Sequence, residues 1–246
     1  MYIKTTNSTN SLMKEMLAKG EWPEGERFLY TGYQTAGRGQ TGNSWESEAD
    51  KNLLCSILLP PRANLFELNV ITSVAVHRMI NCQLSILNSQ LTIKWPNDIY
   101  WQNKKVAGIL VENAIIGSKV KYSIAGIGLN VNQKGFVSDA PNPVSLKQIT
   151  GKEYDIDALM VQLNEEVQKT LQEDVWTYYR EHLYRREGEW LFAEREVSVA
   201  PSKILTEKPR EAFKASIAGI TEQGELVLRT AQGEKKYHFK EIQFIV

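Results

Sequence analysis

Two segments of this sequence hold side chains that could bind an anion, and the first is a glycine-rich run at residues 32–45, GYQTAGRGQTGNSW. Within it Gly37, Gly39 and Gly42 surround Arg38. Glycine lets the backbone approach a ligand closely, and an arginine can grip a carboxylate or a phosphate with two hydrogen bonds. The run therefore predicts an anion-binding loop. A surface hairpin with a solvated arginine is the alternative interpretation.

The second segment, KWPND, places a cation and a carboxylate at a predicted turn. Pro96 ends the preceding strand, and Asn97 followed by Asp98 is typical turn chemistry. Lys94 and Asp98 are therefore expected to be presented at a strand end. A plain structural turn with a solvated ion pair is the competing interpretation.

Two apolar stretches after this turn carry further candidates. In KVAGILVE, Lys105 stands at the start of a predicted strand, and Gly108 leaves room for something against that strand. In GIGLNVN, Gly126 and Gly128 mark a close approach of a backbone or a ligand. Asn130 could bond a ligand or its own backbone. A lysine at a strand mouth is often only a solvated edge charge, so this pattern too has a structural alternative.

Several other chemistries are excluded by what the motifs lack. The spacing from Gly32 imitates a P-loop, but Arg38-Gly39 stands where Lys-Ser/Thr is required. The dinucleotide fingerprint lacks its third glycine, and no GxSxG nucleophile elbow is present. The three histidines and two cysteines have no metal-ligand spacing, so we predict no protein-bound metal site.

Composition narrows the class of protein. The chain has 246 residues, and 29 Lys+Arg balance 29 Asp+Glu. Zero net charge disfavours nucleic acid as the main partner, because phosphate backbones are usually met by a basic surface. Cys55 and Cys82 form no CxxC pair, which fits a reducing cytosol. The N-terminal residues have no signal-peptide core, and no apolar run approaches the ~20 residues of a membrane span, so we expect a cytoplasmic protein without a membrane partner.

Hydrophobic periodicity predicts the elements that position these segments. Strands are expected at residues 27–34, 52–60, 91–95, 105–116 and 121–132. Helices are expected at residues 8–20, 66–82 and 155–184, the last capped by Asp155 or Asp157. Because strands and helices mix without regular alternation, we assign the fold class α+β.

The pattern changes near Trp190, where short strands follow one another closely. Gln223-Gly224 and Gln232-Gly233 stand where hairpin turns are needed. We therefore predict two domains, a mixed-sheet domain at residues 1–190 and a small SH3-like β-barrel at residues 191–246.

Taken in order, these motifs resemble the signature stretches of biotin protein ligases. The resemblance covers residues 5–135 closely, through STN, QTAGRGQ, KWPNDIY, KVAGILVE and GIGLNVN, and the later helix and barrel agree in outline. It implies the catalytic fold of the biotin and lipoate ligases. It also implies that biotin and ATP, with Mg²⁺, form biotinyl-5′-adenylate. Biotin then passes to one lysine of a biotin carboxyl carrier domain.

Matching position by position assigns roles to individual residues. The resemblance implies biotin contacts from Ser8, Thr9, Gln34, Gly37, Arg38, Trp45, Lys105 and Gly108. It implies ATP contacts from Arg38, Lys94, Asn97, Lys105 and Asn130. Arg38 would bind the biotin carboxylate and the α-phosphate, and Lys105 would stabilise the charge that develops as the adenylate forms. Asp98 would orient or deprotonate the incoming lysine amine.

One position departs from the family pattern. Many relatives carry GRGR, whereas Gln40 here replaces the second arginine, which is associated with retention of the reactive adenylate. We hypothesise that this chain retains the adenylate through loop ordering and other cations.

Two other functions compete with this interpretation. A lipoate ligase shares the catalytic fold, but a dithiolane needs only an apolar slot, whereas Ser8, Thr9 and Gln34 offer polar groups suited to a ureido ring. A non-catalytic sensor of biotin or its adenylate is the second rival, and Arg38 with Lys105 argues against it.

Partners follow from the same resemblance. Only seven residues precede Ser8, so we expect a ligase without a DNA-binding domain and without a nucleic-acid partner. Exposed edge strands of the sheet are expected either to pair across a homodimer or to dock the carrier domain.

Overall fold

The structure is a computed structural model that describes residues 1–40, 43–84, 90–117, 119–137, 142–195, 197–200, 203–206 and 211–245. Gly42 of the glycine-rich run lies outside the described residues. Within these ranges seven strands form a mixed sheet with the order β1-β2-β3-β7-β6-β5-β4. Its strands are β1 (Tyr2–Thr6), β2 (Phe28–Gln34), β3 (Leu53–Leu59), β4 (Leu91–Lys94), β5 (Asp98–Trp101), β6 (Lys104–Ile116) and β7 (Lys119–Leu129).

The register of the sheet places glycines together on one face. The edge strand β1 runs parallel to β2, and the other neighbouring strands pair antiparallel. In the long hairpin of β6 and β7, Gly108 lies opposite Gly128 and Leu110 lies opposite Gly126. Directly opposed residues point to the same face of a sheet, so the glycines of the two strands form one strip without side chains.

The opposite face holds the main hydrophobic core. Helices α2 (Leu65–Leu84) and α4 (Ile156–Thr170) cover it, and buried side chains from β3, β6 and β7 pack beneath them. Helix α1 (Thr9–Lys19) lies on the glycine side, where Met13 packs with Leu29 and Ile124 in a smaller cluster. Because α1 covers only part of that face, the remainder is free to form a site.

The helix predicted at residues 155–184 is wrong in its length. Helix α4 ends at Thr170, and a separate short helix, α5, covers Trp176–Glu181. The backbone N–H of Trp176 donates to Asp174 Oδ1 at 3.1 Å, so an aspartate turn replaces the helical ladder here. The predicted cap is confirmed at Asp155, whose carboxylate accepts two backbone hydrogen bonds. The α3 helix (Leu146–Thr150) and strands β1 and β5 were not predicted.

The C-terminal part forms an antiparallel sheet, and its described strands do not close into a barrel. Five described strands have the order β13-β12-β11-β8-β14, and a separate pair joins β9 to β10. The strands are β8 (Trp190–Glu194), β9 (Val197–Ala200), β10 (Lys203–Thr206), β11 (Phe213–Ile220), β12 (Leu226–Thr230), β13 (Gly233–Tyr237) and β14 (Ile242–Phe244). The described strands therefore fit a small SH3-like domain without showing the closure that we predicted. Both predicted hairpin turns are confirmed, with Gly224 and Gly233 at positive φ.

None of the helices in the described ranges has the length and apolar character that crossing a bilayer requires.

Candidate active site

The floor of the candidate site is the glycine strip of the central sheet. A Cβ added at Gly108 would lie 2.8 Å from the Trp45 ring, and one added at Gly128 would overlap the same indole. The Trp45 ring therefore lies directly on bare backbone where β6 and β7 pair. Its Nε1 is buried without a hydrogen-bond partner among the described residues. A buried N–H without a partner is unfavourable, which marks this as a place that another group could occupy.

Polar groups from α1 and β2 lie at one end of this floor. The backbone N–H and the hydroxyl of Thr9 donate to Gln34 Oε1 at 2.8 and 3.2 Å. Ser8 is buried at the N-cap position, yet its side chain makes no capping bond. The Ser8 hydroxyl is therefore available to a ligand at the start of α1.

The glycine-rich loop folds back over the sheet as a narrow hairpin. The Trp45 N–H donates to the Gly37 carbonyl at 2.9 Å, and the Gly39 N–H donates to the Asn43 carbonyl at 2.9 Å. A Cβ at Gly37 would lie 2.5 Å from the Trp45 carbonyl oxygen, so this close approach requires glycine. The loop thus places the Trp45 indole on the floor.

Arg38 of this loop pairs with a residue that sequence reasoning missed. Its Nη2 lies 3.0 Å from Glu112 Oε2 and 3.3 Å from Oε1. Glu112 lies further along β6 than Gly108, by about 13 Å at the rise of a strand. The structure therefore places the Arg38 guanidinium at the α1 end of the floor and does not bring it beside Lys105. Glu112 in KVAGILVE could have been noticed as a charged residue within an apolar strand.

Lys105 and Asp98 meet at the other end of the floor. The Lys105 Nζ lies 2.7 Å from Asp98 Oδ2, and both side chains are partly exposed. The same Nζ lies 5.7 Å from the centre of a Trp45 ring and 3.1 Å from the position of a Gly108 Cβ. An ammonium and a carboxylate are thus held together near the Trp45 ring.

The Lys94 side chain is more buried than that of a solvated turn residue would be. Its Nζ bonds the Tyr100 hydroxyl at 3.2 Å and lies 4.6 Å from that ring and 5.4 Å from the Phe244 ring. Burial lowers the pKa of Lys94 to about 8, and the positive charges of Lys105 and Arg185 add to that effect. Attraction by a nearby carboxylate opposes the shift without cancelling it.

Asn97 connects the KWPND turn to the glycine-rich loop. Its Nδ2 donates to Asn69 Oδ1 on α2 at 2.7 Å, and its Oδ1 lies 3.5 Å from Gln40 Nε2. Gln40, and not Arg38, is therefore the loop side chain that reaches the turn. The neighbouring Trp95 is packed inside, where its Nε1 donates to the Gly224 carbonyl of the C-terminal sheet at 2.9 Å.

Asn130 is buried and only half satisfied. Its Nδ2 donates to the carbonyls of Val144 and Lys105 at 3.3 and 3.4 Å, whereas its Oδ1 has no partner among the described residues. An orphaned buried acceptor at the start of a loop is suited to a ligand N–H. Its amide group also ties the Lys105 backbone to the segment that precedes α3.

The sequence-predicted residues therefore fall into two groups. Ser8, Thr9, Gln34 and Gly37 lie at the α1 end of the Trp45-covered floor. Lys94, Asn97, Asp98, Lys105 and Asn130 lie at the other end. Only Arg38 among the predicted cations is held apart, by Glu112. No group of His, Cys, Asp and Glu side chains within the described residues could hold a metal ion.

This fold and site define a class of domain with a mixed sheet whose glycine floor has polar groups at one end and a lysine–aspartate pair at the other. Residues 2–130 match the model of the Biotin/lipoate A/B protein ligase family, and the chain belongs to that family.

Relatives agree with this placement, and a solved structure agrees with the fold. The chain is 29% identical to the bifunctional ligase/repressor BirA of Bacillus spizizenii, over 99% of this chain and 73% of that protein. It is 31% identical to the biotin–[acetyl-CoA-carboxylase] ligase of Paracoccus denitrificans, over 61% of this chain and 63% of the relative. The biotin protein ligase of Aquifex aeolicus in complex with biotin and ATP superposes with a TM-score of 0.75 at 24% identity, covering 100% of this chain and 97% of that one.

Proposed function

We propose that this chain couples biotin and ATP to biotinyl-5′-adenylate and transfers the biotinyl group to a lysine of a biotin carboxyl carrier domain. One observation carries the proposal. The glycine floor under Trp45 has neutral polar groups at one end and the Lys105–Asp98 pair at the other. Biotin has the same polarity, with a ureido ring at one end, an apolar middle and a carboxylate at the other end.

The ureido end would lie against α1. The ring presents two N–H donors and one carbonyl acceptor, and a site of this kind needs both kinds of partner. The Ser8 hydroxyl can donate to the carbonyl. The Thr9 hydroxyl can do the same when it turns away from Gln34 Oε1, which then can accept an N–H of the ring. The Trp45 indole must leave the floor to admit the ligand, after which it can cover the ring from above.

Adenylation would take place at the Lys105 end. A biotin carboxylate oxygen attacks the α-phosphorus of ATP, a new P–O bond forms, and the bond to pyrophosphate breaks. Two anions repel each other, so the Lys105 ammonium stabilises the charge shared between carboxylate and phosphate. Mg²⁺ would arrive with the triphosphate as part of the substrate.

Transfer would use the carboxylate beside that lysine. The amine of the carrier lysine attacks the acyl carbon, an amide bond forms, and the C–O bond to AMP breaks. The amine must lose a proton, and Asp98 is the carboxylate placed to orient it and accept that proton. Lys105 would then stabilise the departing AMP.

We assign the nucleotide to the side of the KWPND turn and Asn130. The orphaned Asn130 Oδ1 can accept from an adenine amino group, and Asn97 can donate to a ribose or phosphate oxygen. Lys94 supplies positive charge to the phosphates in its protonated form. Arg38 can reach the carboxylate and α-phosphate only if it moves from Glu112; while paired, it holds the loop over the ureido end.

The partners follow from the same proposal. We take residues 1–190 as the catalytic domain and residues 191–246 as a C-terminal domain, acting in the cytoplasm. The carrier domain, or a second copy in a homodimer, would pair with an exposed strand edge such as β1. Zero net charge gives the chain no general attraction for nucleic acid.

Exchange of labelled pyrophosphate into ATP tests the proposal most directly, with biotin and lipoate compared side by side. Exchange that depends on biotin supports the adenylation step, and labelling of a carrier domain by the same protein supports transfer. Exchange with lipoate alone would assign the chain to lipoate activation. Exchange with neither, despite biotin binding, would favour a non-catalytic sensor.

A further inference from the structure

We infer that Glu112, held in place by Asn10, is a positioning residue that clamps the glycine-rich loop over the floor through Arg38. This inference rests on the proposed function for its kinetic consequence only. The clamp itself consists of contacts between side chains of this chain alone, and it gives Asn10 and Glu112 roles that the motifs did not assign.

Asn10 is the anchor of the arrangement. It is 3% exposed, and its Oδ1 accepts a hydrogen bond from the buried Ser56 hydroxyl at 2.6 Å. A Cβ at Gly126 would lie 2.5 Å from that same Oδ1, so Gly126 leaves the space in which the amide lies. The Asn10 amide is thus fixed between α1 and the central strands.

The fixed amide in turn orients Glu112. Asn10 Nδ2 donates to Glu112 Oε2 at 2.7 Å and to the Leu110 carbonyl at 3.3 Å. A carboxylate on an exposed strand would sample several rotamers, and a hydrogen bond from a rigid donor selects one of them. Glu112 consequently presents its oxygens to the loop.

Arg38 is the loop residue that meets this carboxylate. Only Nη2 of its guanidinium contacts Glu112; Nε and Nη1 have no hydrogen bond to any residue that the structure describes. Arg38 adjoins Gly37, whose carbonyl accepts the Trp45 N–H. The ion pair therefore links the base of the loop to β6. The Nε and Nη1 donors of Arg38 remain available to a bound ligand.

An exposed ion pair alone would contribute little, because solvent screens it. Here Glu112 is 29% exposed and is hydrogen-bonded to a buried amide, so loss of the carboxylate also leaves the Asn10 Nδ2 with one partner fewer. We expect coupling between Arg38 and Glu112 of the size found for groups in one hydrogen-bond network.

A double-mutant cycle tests the inference with Arg38→Ala, Glu112→Ala and both together. Amide hydrogen exchange of residues 34–45 is measured without ligand, and kcat and KM for biotin are measured by pyrophosphate exchange. Glu112→Ala should speed exchange of the Gly39 and Trp45 amides and lower KM for biotin about tenfold, with a smaller change in kcat, because the clamp holds Trp45 on the floor that biotin must reach. In the Arg38→Ala background the same change should have no further effect.

Further variants test whether the changes in amide exchange and KM come from loss of the clamp. Gly126→Ala, which displaces Asn10, should reproduce the faster exchange, and Glu112→Gln, which keeps an acceptor, should have a partial effect. Glu15→Gln removes the carboxylate of an exposed pair on α1 and should change neither readout. Unchanged exchange in Glu112→Ala, or equal effects with and without Arg38, would overturn the clamp. Wild-type protein that fails to activate biotin would overturn the proposed function, while the exchange data would still decide on the clamp.

Discussion

The indole of Trp45 lies directly on the backbone of Gly128, in the space that any larger residue at that position would fill. Gly108 contributes to the same surface from the neighbouring strand, opposite Gly128. The Trp45 side chain thus covers the glycine floor on which we propose that biotin binds. In the proposed reaction biotin takes the place of this ring, whose Nε1 has no hydrogen-bond partner among the described residues.

Replacement of Gly128 by alanine should weaken biotin binding. The added methyl group overlaps the Trp45 ring and raises the floor, so we expect KM for biotin to rise at least tenfold, about 1.4 kcal/mol, with little change in KM for ATP. Steady-state pyrophosphate exchange measures both constants. Gly219→Ala is the matched control, because a Cβ at Gly219 meets nothing within 4 Å. Equal KM values for the two variants would show that the floor is not the biotin site.

Biotin binding should report on Trp45 itself. Movement of the indole off the glycine floor changes its environment, so tryptophan emission should shift when biotin is added. In Trp45→Phe the shift should disappear while the other five tryptophans still fluoresce, since the chain has 6 in all. Fluorescence titration with biotin measures it. A full shift in Trp45→Phe would place the responding tryptophan elsewhere.

The Lys105–Asp98 pair should separate the two half-reactions. Lys105→Met removes the charge that stabilises the adenylation transition state, and losses of about 10²–10³ in kcat are usual for such a group. Asp98→Asn should slow transfer to the carrier more than it slows pyrophosphate exchange, because only transfer needs a proton acceptor. Single-turnover transfer from preformed adenylate isolates that step. Equal slowing of both steps by Asp98→Asn would contradict its role as a base.

Gln40→Arg should strengthen retention of the adenylate. Gln40 lies against Asn97 at the reacting end of the site, so an arginine there would bring a guanidinium towards the carboxylate and the α-phosphate. We expect slower release of biotinyl-adenylate and less labelling of unrelated proteins. Release is measured by trapping free adenylate, with Gln40→Ala as the neutral control. If Gln40→Arg and Gln40→Ala release adenylate as fast as the wild type, position 40 has no retention role.

Lys94 should make ATP binding sensitive to alkaline pH. Its pKa is about 8, so the ammonium is charged at neutral pH and is lost as the pH rises through that value. If the charge binds phosphates, KM for ATP should rise up to about tenfold by about pH 9. Lys94→Arg keeps its charge throughout this range and should flatten the profile. A wild-type profile that is already flat would remove Lys94 from the nucleotide site.

His77 should make the folded chain sensitive to acid. Burial lowers the pKa of His77 to about 4, and its ring bonds the Tyr178 hydroxyl and the Leu91 carbonyl. Because the unfolded histidine takes up its proton first, stability should fall as the pH drops from about 6.5 to about 4, by about 3 kcal/mol. Urea unfolding across that range measures the slope. His77→Gln should be less stable than the wild type at pH 7, but its free energy of unfolding should depend less on pH between about 6.5 and about 4. An unchanged pH dependence in this variant would assign the acid sensitivity to other groups.

Much of the secondary structure could be predicted because the sequence patterns that indicate it are local. Alternating and continuous apolar runs predicted β2, β3, β6, β7 and α2, and Gly20 ends α1 in the left-handed conformation that its type favours. The motif order likewise brought Lys94, Asp98 and Lys105 to one end of the site, since each stands at a strand end or turn. The break within the helix predicted at residues 155–184 was not predicted, because no glycine or proline marks it.

By itself, the sequence determined the class of fold, the glycines of the floor and the charged residues of the site, because backbone freedom, periodicity and charge belong to individual residues. Only the tertiary structure decided which charges meet. Arg38 pairs with Glu112 because the β6–β7 register brings Gly126 beneath Asn10, and Asn10 then orients that carboxylate. Lys94 is enclosed because Phe244, far along the chain, packs against it. Such pairings depend on strand register and on contacts between distant segments, and no local pattern encodes either.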